Sequence, residues 1–358
     1  MDFNNIDLGK KIINSIHKAS SMLKHDIKIM EICGTHTRSI YNYGIPSILP
    51  SNIKLISGPG CPICVTPREY IDLGIEVATS ENVILATFSD VLRVPGSRDA
   101  LSNSRSRGYD IRIVHSPLEA LNIAKNNIKS EVVLICVGFE TTAPSIALTL
   151  KKARESNIKN FSILNYLKTM PNALKSLILD NETSIDGFIC PGHVGTIVGN
   201  KVFDNLARES NTPMTMCGFE AIDILGGIYS LINLIINKDY RCNNLYSRAV
   251  SEEGNILAKD LISEVFLSSS SLWRGIGRIE NSGYELRHDY KIYDARHRFY
   301  IDDKVIEDDD KCSCKYIITG RRSPRDCIYF KRKCTPLSPL GPCMVSSEGA
   351  CNIEYSYI

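Results

Sequence analysis

Residues 53–80 read IKLISGPGCPICVTPREYIDLGIEVATS, and the fold turns on how this run is parsed. A short apolar run of strand length leads into a loop of Gly, Pro and Cys. A helix start follows, with Thr66 as cap, Pro67 in the first turn and Glu69 three residues after the cap. The scheme recurs. Residues 28–44, KIMEICGTHTRSIYNYG, read as strand, loop, short helix and a Gly44 stop, and residues 110–127 repeat it with Ser116, Pro117 and Glu119. Strands alternating with capped helices predict parallel sheets of the doubly wound α/β kind.

The pattern divides the chain. EICGTHT, ISGPGCP and ILATFSD in the first half are echoed by ICVGFETT, FICPGHV and MTMCGFEA in the second. This weak repeat predicts two similar α/β domains, residues 31–125 and 126–238, facing each other across a cleft. Their loops would lie at the carboxyl ends of strands, where open α/β sheets bind ligands. Residues 239–358 change character, with turn-rich Gly, Ser and aromatic segments and then a cysteine-rich tail, and form a third, mixed domain. Residues 1–30 predict a helix docked on that third domain.

With 42 basic and 40 acidic side chains the net charge is +2, so bulk charge indicates neither nucleic acid nor membrane as partner. The most apolar segment, residues 221–238, is broken by Asp223, Gly226, Gly227, Asn233 and Asn237 and reads as a buried helix. The N-terminus lacks the uninterrupted apolar stretch of a signal peptide. A cytoplasmic location is expected, where 13 cysteines point to metal binding or redox cycling before structural disulfides.

Six of those cysteines fall between Cys312 and Cys351. Cys314, Cys327, Cys334 and Cys351 are spaced widely and irregularly, which suits an iron–sulfur cluster better than the paired knuckles of a zinc ribbon. Lys315, Arg321, Arg322, Arg325, Lys331, Arg332 and Lys333 crowd the same region and would either offset thiolate charge or form a solvated face. Cys61 and Cys64 at a helix start read as a redox dithiol, with an inert turn as the alternative. Cys33, Thr35 and His36 follow a strand, a pattern that suits a nucleophile with its base, a soft metal ligand, or plain packing. Glu140, His193 and Glu220, each beside glycine, are placed on loop tips lining the cleft. Cys136, Cys190, Cys217 and Cys242 read as small buried hydrophobes.

Taken in order, MEICGTHT, GPGCPICVTP, GFETTAPS, PGHVGTIVG, CGFEAIDIL and CMVSSEGAC closely resemble the HypD family of [NiFe]-hydrogenase maturation factors, from about Cys33 to Cys351. The resemblance implies two α/β domains plus a third carrying a [4Fe–4S] cluster on Cys314, Cys327, Cys334 and Cys351. It implies a scaffold, in stable complex with HypC, for assembling the Fe(CN)2CO unit, with Cys33 holding the iron and Thr35 and His36 beside it. Cyanide would come from HypE, and Cys61 and Cys64 would exchange electrons with the cluster. Glu140, His193 and Glu220 match cleft residues of the family. Cys312, one extended step from Cys314, is an alternative first ligand, and Cys343 is additional. A monomer that joins heteromeric complexes is expected. The alternative function is a freestanding, cluster-linked thiol–disulfide oxidoreductase.

Overall fold

The computed structural model describes residues 6–180, 182–301 and 312–357. Eleven strands are described: β1 (Ile27–Glu31), β2 (Ile53–Ser57), β3 (Val83–Thr87), β4 (Ile111–Ile113), β5 (Glu131–Gly138), β6 (Phe161–Leu167), β7 (Gly187–Cys190), β8 (Met214–Met216), β9 (Cys242–Asn244), β10 (Phe266–Trp273) and β11 (Gly277–Leu286). They build two parallel sheets, ordered β2-β1-β7-β8-β9 and β4-β3-β5-β6, and an antiparallel β10–β11 hairpin. The α/β class and the parallel sheets are as the sequence predicts. Strands such as β3 and β5 are buried almost throughout, as parallel strands covered on both faces must be.

The sheets do not follow the boundary expected at residues 125/126. The first takes β1 and β2 from the N-terminal part and β7–β9 from far downstream, joined where Ile29, Met30 and Glu31 pair with Gly187, Phe188 and Ile189. The second is built wholly from the intervening segment, β3 to β6. The chain therefore leaves one sheet after β2, completes the other, and returns. Counted within each sheet, the strand order is 2-1-3-4-5 in the first and 2-1-3-4 in the second, so the two share one winding. The likeness lies in that winding and not in contiguous halves. In each sheet the winding direction reverses beside the first strand, between β1 and β7 and between β3 and β5, and such a reversal opens a crevice at the strand ends.

The helix Ile6–Ser20 corrects a second expectation. It packs on the helix Ala221–Asn237 of the first sheet, not on the C-terminal region. Ile16 and Ala19, flanked by Ile12 and Ile13, share one apolar cluster with Ile224, Ile228, Leu231 and Ile232.

The start at Pro67 is also displaced. Cys61, not Thr66, caps a four-residue helical turn, Pro62–Val65, with its sulfur accepting the Cys64 N–H at 3.2 Å. Thr66 ends that turn, its hydroxyl donating to the Pro62 carbonyl, and the longer helix begins at Glu69. At Ser116 the predicted cap is present, its Oγ accepting from Glu119 N. The tail folds back on these loops. The helix Pro342–Val345 packs on Pro62–Val65, and Ala350–Tyr357 packs on Gly34–Asn42.

Candidate functional site

Cys33 lies just beyond β1 at the first sheet's crevice, as the N-cap of the helix Gly34–Asn42, and His193 follows β7 on the other side of it. Backbone contacts fix Cys33. Its N–H donates to Glu31 Oε2 at 3.0 Å, and the next N–H, of Gly34, donates to the Gly60 carbonyl at 3.2 Å. Gly60 must be glycine, because a Cβ there would lie 2.4 Å from Cys33 N. The residue before the dithiol thus touches the backbone of Cys33.

Burial dominates the electrostatics. It pushes the Cys33 thiol up to about 12, with the backbone amides of His36 and Thr35 pulling weakly the other way. It pushes the Glu31 carboxyl up to about 8, although Thr37 Oγ1 and Cys33 N donate to it. His36 is fully buried and held down to about 4, so its ring is neutral at pH 7. Its Nε2 lies 3.0 Å from the Gly218 carbonyl, which requires the proton on Nε2 and leaves Nδ1 a bare acceptor with no hydrogen-bond partner among the described residues. Phe219 is sandwiched between His36 and His193, at ring-centroid distances of 4.5 and 4.1 Å.

The structure brings Cys33, Thr35, His36 and His193 into one group, linked through the Phe219 ring and the Glu348 carboxylate, and Glu220, next to Phe219 in the chain, accepts from Tyr43 Oη at 3.0 Å. Glu140 stands apart. It follows β5 at the crevice of the second sheet, is 2% exposed, and accepts the Met170 N–H at 2.8 Å. Burial pushes its carboxyl up to about 7, and its Oε2 has no partner among the described residues. Sequence reading passed over Glu348, although it lies inside CMVSSEGAC. This carboxylate reaches from the tail to accept Thr35 Oγ1 at 2.9 Å, and its charge acts on Glu31, Cys33 and His193. Glu31 was missed too, because a carboxylate ending a strand gives no signal of being buried. Asp223 pairs with Arg248 through both oxygens beside Gly218 and braces the loop that holds His36.

Cys61 and Cys64 are joined as a disulfide, with Cα atoms 5.2 Å apart, and both are buried. In the tail, hydrogen bonds from Cys312, Cys343 and Cys351 hold the Cys314 thiol well below its usual range. Cys334 lies next to them, its sulfur accepting Leu340 N at 3.4 Å, and Cys327 is half-buried at the rim. Cys312 and Cys343 are therefore part of the thiol group. A Cβ on Gly341 would stand 2.7 and 2.8 Å from the sulfurs of Cys312 and Cys314, so glycine keeps that side of the group open. Among the described residues no three His, Cys, Asp or Glu side chains are arranged around a single metal ion. A buried set of soft thiols with N–H donors and a glycine wall does fit an iron–sulfur cluster, whose ligands stand around a larger body than one ion. No helix among the described residues is long and apolar enough to cross a membrane.

A family model described as "HypD: Hydrogenase formation hypA family" matches residues 7–358. The chain is 40% identical to a hydrogenase maturation factor HypD of Azotobacter vinelandii, over 93% of this chain and 90% of the relative. It is 38% identical to the Escherichia coli (strain K12) protein of that name, over 97% and 94% of the two chains. A putative hydrogenase expression/formation protein of Methanocaldococcus jannaschii is 40% identical over 100% of this chain and 99% of its own length.

Proposed function

This chain belongs to the HypD family of hydrogenase maturation proteins, and on that premise we propose that it is the scaffold on which an Fe(CN)2CO unit is assembled, with HypC as partner and HypE as cyanide donor. The observation that carries this reading is the position of Cys33. It caps a helix at a sheet crevice, between the dithiol loop at Gly60 and the tail carboxylate Glu348.

Cys33 as a buried thiol keeps its proton at neutral pH. Incoming iron, a soft cargo in its cyanide- and carbonyl-bearing form, displaces that proton and converts the thiol to a ligand. The bare Nδ1 of His36, three residues away in sequence on the helix that Cys33 caps, stays unprotonated at neutral pH and offers a hydrogen-bond acceptor only. Delivery of cyanide from a thiocyanate breaks an S–C bond and consumes two electrons. The reduced Cys61/Cys64 pair can supply them: thiocyanate plus two thiols yields the donor's thiol, hydrogen cyanide and the Cys61–Cys64 disulfide, and the cyanide proton is released on binding iron. In this reading the Cys61–Cys64 disulfide is the oxidised form of that pair. Cys314, Cys327, Cys334 and Cys351, with Cys312 and Cys343 among them, would hold the [4Fe–4S] cluster, which when bound supplies electrons singly to restore the dithiol.

The test is infrared spectroscopy of the complex purified without oxygen. Cyanide and carbonyl stretches should be present in the parent, absent in Cys33→Ala, and reduced to carbonyl alone in Cys61→Ala with its cluster absorbance intact. Normal cyanide bands in Cys61→Ala would refute the dithiol's role.

A further inference from the structure

A second cleft, of about 250 Å³, lies where the end of β6 meets the β10–β11 hairpin. The two are joined there by an antiparallel bridge between Lys168 and Gly283. The cleft stands at the carboxyl end of a strand of the second sheet, the edge on which open α/β sheets hold their ligands. Its walls come from β6, from both hairpin strands and from the start of the helix at Glu69.

Lys168, the residue after β6, decides what this cleft can hold. It lines the cleft and is 1% exposed. Its Nζ donates to Ser271 Oγ at 2.7 Å and to the Leu272 carbonyl at 2.6 Å, and lies 5.4 Å from the centre of the Trp273 ring. All three partners are neutral, and among the described residues no carboxylate stands within ion-pair distance of it. An ammonium carries three donors, so one N–H is left over. A charge buried without a counter-ion is costly. Burial accordingly holds this ammonium down to about 7, with the Glu69 charge opposing the shift and the Arg296 charge adding to it.

The rest of the lining has the same sense. Ser271 accepts from Lys168, and its own hydroxyl hydrogen has no acceptor among the described residues. Arg278 from β11 and Lys291 from the helical turn His288–Tyr293 line the cleft with exposed side chains, and neither makes an ion pair among the described residues. Arg296 adds a fourth cation, over the Tyr166 ring at 4.9 Å. Three carboxylates face them, Glu69, Glu285 and Asp294, of which Asp294 already accepts from the Arg296 backbone N–H. The only one of these charges that is fully buried is the lysine without a counter-ion. A volume of about 250 Å³ lies just below the range usual for drug-sized ligands, so the occupant is small.

We propose that this cleft binds a small molecule bearing an oxyanion group, a carboxylate or a phosphate, which takes the free N–H of Lys168 and the hydroxyl of Ser271, with Arg278 and Lys291 drawing it in from solvent. The site is separate from Cys33, and the proposal does not depend on the scaffold reading.

Trp273 is the single tryptophan and lies beside Lys168 Nζ, so its fluorescence reads the site directly. The whole chain is titrated with inorganic phosphate and, separately, with succinate, each against chloride at equal ionic strength. One or both should give a saturable change that chloride does not, and the tighter of the two identifies the oxyanion. Lys168→Met, similar in length but uncharged, should weaken that affinity by about tenfold or more, the worth of one charge-assisted hydrogen bond. Arg278→Ser, an exposed change that leaves Lys168 in place, should weaken it about threefold. Circular dichroism checks the fold of each variant, and if Lys168→Met does not fold, Arg278→Ser decides alone. Absence of a saturable change with either anion, or affinities in the folded variants equal to the parent's, overturns the proposal and leaves Lys168 as a tie between β6 and the hairpin.

Discussion

Glu140→Gln isolates one buried carboxyl in a way that stability measurements can read. Glu140 is buried at the end of β5, and desolvation raises its carboxyl from 4.5 to about 7. Between those values the unfolded chain has lost the proton while the folded chain keeps it. Linkage then requires folding stability to fall as pH rises through this window and to level off above it. Each pH unit of separation is worth about 1.4 kcal/mol, so the full cost is about 3 kcal/mol and the part falling between pH 5 and 8 is about 2.5 kcal/mol. Glutamine keeps the acceptor for the Met170 N–H and has no proton to lose. Its amide NH2 would replace an oxygen without a partner among the described residues, a penalty that is the same at every pH. The variant's stability relative to the parent should therefore climb by about 2.5 kcal/mol from pH 5 to pH 8. Urea unfolding followed by circular dichroism and by the fluorescence of Trp273, the single tryptophan, measures this beside the mutated residue, since Phe139 stacks on that indole. Parallel pH profiles for the two proteins would refute the assignment of Glu140 as a carboxyl that stays protonated toward neutral pH.

The Cys33 pocket makes further demands. Gly60→Ala forces a methyl to within 2.4 Å of a backbone nitrogen that cannot yield, so it should cost about 3 kcal/mol in urea unfolding, and an unchanged midpoint would mean the loop does not abut Cys33. His36, lowered to about 4 by burial, destabilises the fold as pH drops from 6.5 toward 4, because the unfolded ring takes up the proton first. Its imidazole resonance should hold constant from pH 8 to about 5, and an ordinary titration near 6.5 would show that it is not enclosed. Asp223→Asn leaves Arg248 without its carboxylate, but that guanidinium is 42% exposed, so the loss should be about 1 kcal/mol in thermal unfolding. A loss several times larger would mean the pair is shielded from solvent.

Much of the secondary structure was legible because its signals are local. Ser116, Pro117 and Glu119 mark a helix start with side chains that bond within one turn, and that start is where the sequence puts it. The residues Cys33, Thr35, His36 and His193 were legible for a related reason: each follows a short apolar strand at a glycine or proline loop, and strand ends on one edge of a parallel sheet must converge. The displaced helix start at Pro67 shows the limit of local rules. Pro62 in the first turn after Cys61 is an equally good start, and a cysteine is an unexpected cap, so the rule picked the wrong one of two valid sites.

The pairing of β1 with β7 could not be read from either strand. Both are short and buried, and in a doubly buried parallel strand neither face carries polar alternation to show which neighbour or which register it requires. What decides the pairing is where the chain can return, and that depends on the whole second sheet folding between them. The same topology explains why Glu348 and Arg274 escaped notice. Each belongs to an element distant in sequence from the residues it serves, 313 positions from Thr35 in one case, and reaches them only because the tail and the hairpin tip close over the first sheet's crevice. A carboxylate after two serines and an arginine before a glycine look like surface residues in a sequence. In the folded chain, Glu348 hydrogen-bonds beside a thiol whose proton a metal would have to displace. Arg274 meets the Cys61-capped turn through its N–H, which donates to the Val65 carbonyl at 2.7 Å. The chemistry at Cys33 is therefore governed by residues that join it only on folding.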